Sequence, residues 1–175
     1  MFSFLKSSPP EIKVIDRIWM SGQAKWRACE AMIQVDPNCL FIAWFEETLN
    51  ELRSVLPPEK HQCTILARDV MNVDGRMVIF VEHYPLASAE QALFEKLKLQ
   101  EVPVLSSLDE PLFHLFGGEK MVEILKRLGM NDEEVLGHSM ITKSIQNAQK
   151  KIGKQVIADR PTTSQQRWVS LNTNR

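Results

Sequence analysis

The sequence predicts an α/β fold, a small three-layer domain with a mostly parallel sheet and a C-terminal helical extension. Three observations predict it. Apolar runs of strand length alternate with amphipathic stretches of helix length as far as about residue 107. The run CLFIAWF, residues 39 to 45, is apolar without alternation, as a strand covered on both faces requires. From Asp109 onward only helical patterns follow.

The elements follow in order. After a loose start ending at Pro9-Pro10, IKVIDRIW reads as a short strand, and Ser21 is the expected N-cap of a helix reaching about Gln34. Asp36-Pro37-Asn38 makes a turn into the buried strand at 39–45. EETLNELRSVL places Leu49, Leu52 and Leu56 at helical spacing, and Pro57-Pro58 stops it. QCTILARDV and RMVIFVEHY read as further strands separated by an Asp74-Gly75 turn. Ser88 and Gln91 predict a capping box for SAEQALFEKLKL, and EVPVLSS is the last strand. EPLFHLF, then EKMVEILKRL stopped by Gly129, then a short acidic turn of helix, then SMITKSIQNAQKKI complete the chain, with Ser139 expected as the last N-cap and His138 before it in a capping or turn role. The domain plan is a flexible 1–10, an α/β domain over 11–116, a helical extension over 117–152 and a disordered tail over 153–175.

Composition narrows the function classes. Lys and Arg number 21 against 22 Asp and Glu, so no global field favours nucleic acid or an anionic membrane. Cys29, Cys39 and Cys63 are odd in number and sit in apolar surroundings, which reads as buried free thiols and a reducing, cytoplasmic location. The start MFSFLK has too short an apolar run for a signal peptide, and no run approaches the roughly 20 residues that cross a bilayer.

Motifs that carry chemistry are missing. The only Gly-Lys pair, Gly153-Lys154, has Ala148 and Gln155 where a phosphate-binding loop needs Gly and a hydroxyl residue. No dinucleotide fingerprint, nucleophile elbow or zinc-protease helix occurs. His61 and Cys63 lack companions for a tetrahedral metal set, so neither metal nor cofactor is expected. Glu82 and His83 end a buried strand, where ligands of open α/β sheets collect; with Ser106 or Ser107 they form the alternative site, a small enzyme with acid and base at the sheet's carboxyl edge. In the last helix Ile141, Ile145, Ala148 and Ile152 make one apolar stripe, with Lys143, Lys150 and Lys151 off it. The stripe either packs on its own domain or docks another chain. Trp168 stands alone in a polar tail as a partner anchor or a solvated residue.

Residues 107–152 carry a resemblance. Ser107-Leu108, Phe116-Gly117, Arg127-Leu128-Gly129-Met130, His138, Thr142-Lys143 and Ala148-Gln149 fall in the order of a segment of the SecA preprotein translocase ATPase. That segment leaves the second nucleotide-binding domain and enters the long scaffold helix. Upstream, LFIAWFEETLNELRSVL and DGRMVIFVEHYP resemble the same domain collinearly, with Gly75, Ile79, Glu82 and His83 kept. The resemblance implies a RecA-like, P-loop NTPase-like domain plus the root of the scaffold helix.

It also implies what is missing. The family's glycine-rich element before the Glu-His strand has no counterpart, and where the family carries its γ-phosphate arginines this chain reads ALFEKLKLQEVP, without Arg or Gly. The domain bearing the phosphate-binding loop is not matched within these residues. Phosphoryl transfer depends on such loops, metal and arginines, so the expectation is a degenerate, non-catalytic interaction protein linked to protein export. Its partner is expected to be a translocase component, an export client or a second copy, with no nucleic acid. The expected contact surface is Leu136 to Ile152, with His138, Thr142, Lys143, Ile145 and Gln149.

Overall fold

The computed structural model describes residues 12 to 173, so the loose start expected over 1–10 lies outside the described residues. Five strands, β1 (Lys13–Trp19), β2 (Cys39–Ala43), β3 (Thr64–Leu66), β4 (Met77–Phe80) and β5 (Glu101–Ser107), form one parallel sheet in the order β1-β5-β4-β2-β3. Helices α1 (Gly22–Val35), α2 (Glu46–Val55) and α3 (Ala87–Lys96) are the crossovers. Then come α4 (Pro111–His114), α5 (Gly118–Arg127), α6 (Ser139–Gly153) and α7 (Gln165–Asn172).

β2 is buried along its whole length because both of its faces are used. Cys39, Phe41 and Ala43 pack with Cys29 and Ile33 of α1 and Leu49 and Leu52 of α2. Leu40 and Ile42 pack with Leu93 and Phe94 of α3. The continuous apolar run and the three layers are thus one fact: alternate side chains enter two different cores. A third core joins Ile18, Phe45 and Leu108 at the carboxyl edge of the sheet to Ile145 and Ile152 of α6 and Trp168 of α7. Gly118 is required where the chain enters α5, since a Cβ there would lie 2.3 Å from the Leu108 carbonyl oxygen.

Several local expectations change. Ser21 does cap α1, accepting from Ala24 N–H, but α3 starts at Ala87 with Leu86 as N-cap, so the Ser88–Gln91 capping box does not form. Glu90 instead reaches back to the Tyr84 N–H at 2.7 Å and fixes the helix start earlier. The third strand keeps only three residues, because Pro58–Cys63 winds into a 3-10 turn before it. The acidic stretch is not helical: Asn131 folds it into a side-chain-bonded turn, accepting from Glu133 N–H at 2.9 Å and donating to Glu134 at 2.7 Å. His138, not Ser139, caps α6, its Nδ1 accepting from Met140 N–H.

The described part of the tail is ordered. α7 buries Gln165, Trp168, Val169 and Asn172, a helical i, i+3, i+4, i+7 stripe that is half polar and therefore faint to hydropathy. Ser164 accepts from Arg167 N–H as its cap, and Trp168, with no exposed surface, donates its Nε1–H to Asp159 at 2.7 Å.

Candidate functional site

The chain leaving β4 carries Glu82, His83 and Tyr84 over the carboxyl edge of the sheet, with Glu82 and His83 buried and Tyr84 half-buried. The sheet does not bring them together as an acid and base pair. Glu82 lines a polar cavity of about 300 Å³ with residues of α1 and α2, whereas His83 lines a separate space of about 60 Å³ beside α3 and α6.

Glu82 serves as a cap. Its Oε1 accepts from the Trp44 and Phe45 N–H groups at 2.9 and 3.0 Å, and its Oε2 from Thr48 Oγ1 at 2.8 Å, satisfying the start of α2. Burial, reinforced by the Glu110 carboxylate, pushes its pKa up to about 8 in spite of Lys25 and these donors.

His83 sits between two carboxylates. Nδ1 is 2.9 Å from Glu90 Oε1 and Nε2 is 2.7 Å from Asp16 Oδ1. Burial opposes the charged ring, yet Glu90 and Asp16 outweigh it and push the pKa up to about 10, so both ring nitrogens donate at neutral pH. Asp16 responds in kind: burial would raise its pKa, but His83 holds it below the ordinary carboxylate range. An imidazolium clamped on both sides has no lone pair for a proton, so His83 is not poised as a general base. The buried Ser106 Oγ makes no hydrogen bond, and Ser107 Oγ is 3.4 Å from Glu110 rather than from an imidazole.

The cavity beside Glu82 holds charges that sequence reasoning missed. Lys25, almost fully buried, donates from Nζ to the Val81 carbonyl at 2.9 Å and to Glu110 Oε1 at 2.6 Å. Burial works against its charge, but Glu110 outweighs that and holds its pKa above the usual range. Asp109 Oδ2 accepts from the Gly22 N–H at the start of α1 at 2.9 Å. Glu47 and Glu51 add further carboxylates to the wall. Lys25, Asp16 and Glu90 share one legible signal: each stands where an apolar period calls for a hydrophobe. Lys25 precedes Cys29 and Ile33 on the face of α1, Asp16 lies between Val14 and Ile18, and Glu90 falls between Leu86 and Phe94.

Two glutamines tie the later helices to this edge. Gln149 of α6 donates to the Tyr84 carbonyl and to Glu90 Oε2, both at 2.8 Å, and Gln165 of α7 donates to the His83 carbonyl at 3.1 Å. The residues expected to face a partner therefore divide. Ile145 and Gln149 are buried against the chain's own domain, because the apolar stripe of α6 is used internally; Thr142 is half-buried, and Lys143 and His138 are exposed. His61 is held between the Arg53 and Leu56 carbonyls, and Cys29, Cys39 and Cys63 are buried free thiols. Among the described residues no group of three or more His, Cys, Asp or Glu is placed to hold a metal ion, and no helix is long and apolar enough to cross a membrane.

No protein-family profile matches the chain. Curated proteins do. It is 35% identical over 89 residues to protein translocase subunit SecA 1 of Alkaliphilus metalliredigens, covering 49% of this chain and 10% of that protein. It is 46% identical over 99 residues to SecA of Chlorobium luteolum, covering 54% and 10%. It is 29% identical over 123 residues to SecA of Rickettsia bellii, covering 68% and 13%. The chain is similar to SecA over about half to two thirds of its length, and it spans about a tenth of the length of the curated relatives it matches.

Proposed function

We propose that the chain is a non-catalytic interaction protein, a degenerate form of the second nucleotide-binding domain of SecA that acts in the cytoplasm in connection with protein export. One observation carries this reading. In an α/β sheet an anionic ligand would be held by helix N-termini at the carboxyl edge and by a cation beside them. Here those groups are met by the chain's own carboxylates: Asp109 on the α1 N–H, Glu82 on the two N–H groups entering α2, and Glu110 on Lys25. A phosphate would have to displace them and then sit among Glu47 and Glu51. The arginine-free, glycine-free stretch after His83 supports the same conclusion from sequence.

The partner fits one of three classes: a translocase component, an export client or a second copy. The rival reading, a small enzyme at Glu82 and His83, has one observation in its favour, the polar cavity beside a carboxyl that stays protonated to about pH 8. His83 does not serve as its base, since it is charged and turned into the other space, which leaves that role to the cavity's own carboxylates.

Titration with ATP and magnesium, followed calorimetrically and by phosphate release, tests the proposal. We expect no binding tighter than about 1 mM and no turnover. Micromolar binding, or hydrolysis that follows the protein through purification, would overturn it.

A further inference from the structure

The space beside His83, between α3 and α6, is a pocket of about 60 Å³ whose wall offers acceptors without donors to meet them. Asp16 of β1 lines it and is only 5% exposed. Its Oδ1 lies 2.7 Å from His83 Nε2, but its Oδ2 is buried with no hydrogen-bond partner. A bare carboxylate oxygen in such a place carries its full desolvation cost. The buried donors around it are already spent. Both ring nitrogens of His83 face carboxylates, Asp16 and Glu90, and both N–H groups of the Gln149 amide go to the Tyr84 carbonyl and Glu90 Oε2. The Gln149 amide can therefore give the pocket only its oxygen. Thr142 brings a hydroxyl to the same wall without bonding Asp16.

Charge distinguishes the occupant that fits. Asp16 and Glu90 bring two negative charges and the His83 imidazolium one positive, and no Lys or Arg lines the pocket, so the buried cluster holds one uncompensated negative charge. A water could bond Oδ2 but would leave that charge in place, and an anion would add to it. One positive charge cancels it. A divalent ion would overshoot beside the imidazolium, and Mg²⁺ in addition demands a near-ideal octahedron. The free valences are carboxylate, amide and hydroxyl oxygens, which are the ligands of hard cations rather than of zinc or copper. At about 10–15 Å³ for each water-sized occupant, the pocket admits an alkali ion with a few waters and no bulky organic cation.

We propose that this pocket is a monovalent-cation site, in which Asp16 Oδ2 with the side-chain oxygens of Thr142 and Gln149 holds a sodium or potassium ion between β1 and α6. Thr142 and Gln149 are seven residues apart and share the face of α6 that Ile145 buries, so the ion ties the helical end to the sheet. Its way in lies past Gln91 and Gln146, both exposed at the mouth. The pocket is separate from the cavity beside Glu82, so the site stands or falls independently of the non-catalytic reading.

Urea unfolding of the full chain at pH 7 is the test, with N-methylglucamine chloride replaced stepwise by potassium or sodium chloride at a constant ionic strength of about 0.2 M. The bulky cation cannot enter, so the midpoint should rise as the alkali ion replaces it and saturate, with half the effect between about 5 and 50 mM. Thallium(I), which substitutes for potassium, should give one bound resonance by NMR that potassium displaces. Thr142→Val keeps the side-chain shape and the Asp16–His83 pair, and it should weaken the ion at least about tenfold while leaving the midpoint in N-methylglucamine unchanged. Asp16→Asn should abolish binding; if it also loses the fold with the His83 partner, Thr142→Val still decides. Equal midpoints in all three salts overturn the proposal, and so does a cation effect that Thr142→Val leaves intact, which would place the ion elsewhere. Stabilisation by about 1 mM magnesium exceeding that of about 100 mM potassium overturns it as well, since the site would then be divalent.

Discussion

Replacing His83 with glutamine removes the imidazolium that Asp16 and Glu90 share, and the structure sets both the size and the pH dependence of the loss. The ring lies 2.7 and 2.9 Å from the two carboxylates, and all three side chains are buried. Removing one partner of a buried ionic cluster costs about 3–5 kcal/mol, because the remaining charges are left without compensation. Linkage gives a matching ceiling. The folded pKa of about 10 against an ordinary 6.5 is worth at most about 5 kcal/mol at roughly 1.4 kcal/mol per pH unit. Between those two values the folded chain keeps a proton that the unfolded chain has released. This stabilisation is therefore complete below about pH 6.5 and is lost as pH rises to about 10. Glu82 adds a slope of the same sign between its ordinary 4.5 and about 8, since there too only the folded chain holds the proton. Urea unfolding at a series of pH values is the assay. The wild type should lose stability steadily from pH 6.5 to 10. His83→Gln should be less stable by about 3–5 kcal/mol at pH 6.5, with a shallower slope, so that the two curves converge near pH 10.5. A difference under about 1 kcal/mol at pH 6.5, or parallel curves, would refute a charged cluster.

Two further outcomes follow from burial. Trp168→Ala should cost about 3–5 kcal/mol in urea unfolding, as for any fully buried tryptophan, whereas a solvated tail residue would cost under about 0.5 kcal/mol. The thiols should be inert in the native state. Burial pushes Cys29 up to about 12 and Cys39 up to about 11, so a thiol-reactive disulfide reagent at pH 8 should titrate no group over minutes and all three after denaturation.

The layers of the fold were legible because they follow from where large apolar side chains fall. CLFIAWF announces a strand with two covered faces, and Leu49, Leu52 and Leu56 announce a helix with one. What failed to show is polar burial. α7 reads as tail because Gln165 and Asn172 occupy two of its four inward positions, and no hydropathy pattern counts a glutamine as core. Its hydrogen bonds explain the burial: Gln165 accepts from Leu112 N–H and donates to the His83 carbonyl, while Asn172 donates to the Arg160 and Trp168 carbonyls. The candidate site behaved likewise. Glu82 and His83 were found at the strand end, but the partners that determine their chemistry lie 7 to 67 positions away in sequence, mostly beyond the reach of any local spacing.

Those same contacts make the helical end inseparable from the sheet. Gln149 and Gln165 donate to consecutive carbonyls, Tyr84 and His83, on the segment whose side chains close the cavity beneath α1 and α2 and clamp Asp16 to Glu90. Backbone carbonyls buried at a sheet edge need donors, and in a nucleotide-binding domain of this shape loops and ligands could supply them. Here the donors come from two helices of the chain itself, just as the donors of the α1 and α2 N-termini are met by its own carboxylates. Both the helix N-termini and the carbonyls of this edge are thus met from within the chain, while Asp16 Oδ2, Ser106 Oγ and Glu110 Oε2 stay buried without a partner. Among the described residues, α5 packs Val122 and Leu125 on the domain and leaves Met121, Ile124 and Leu128 exposed beside them.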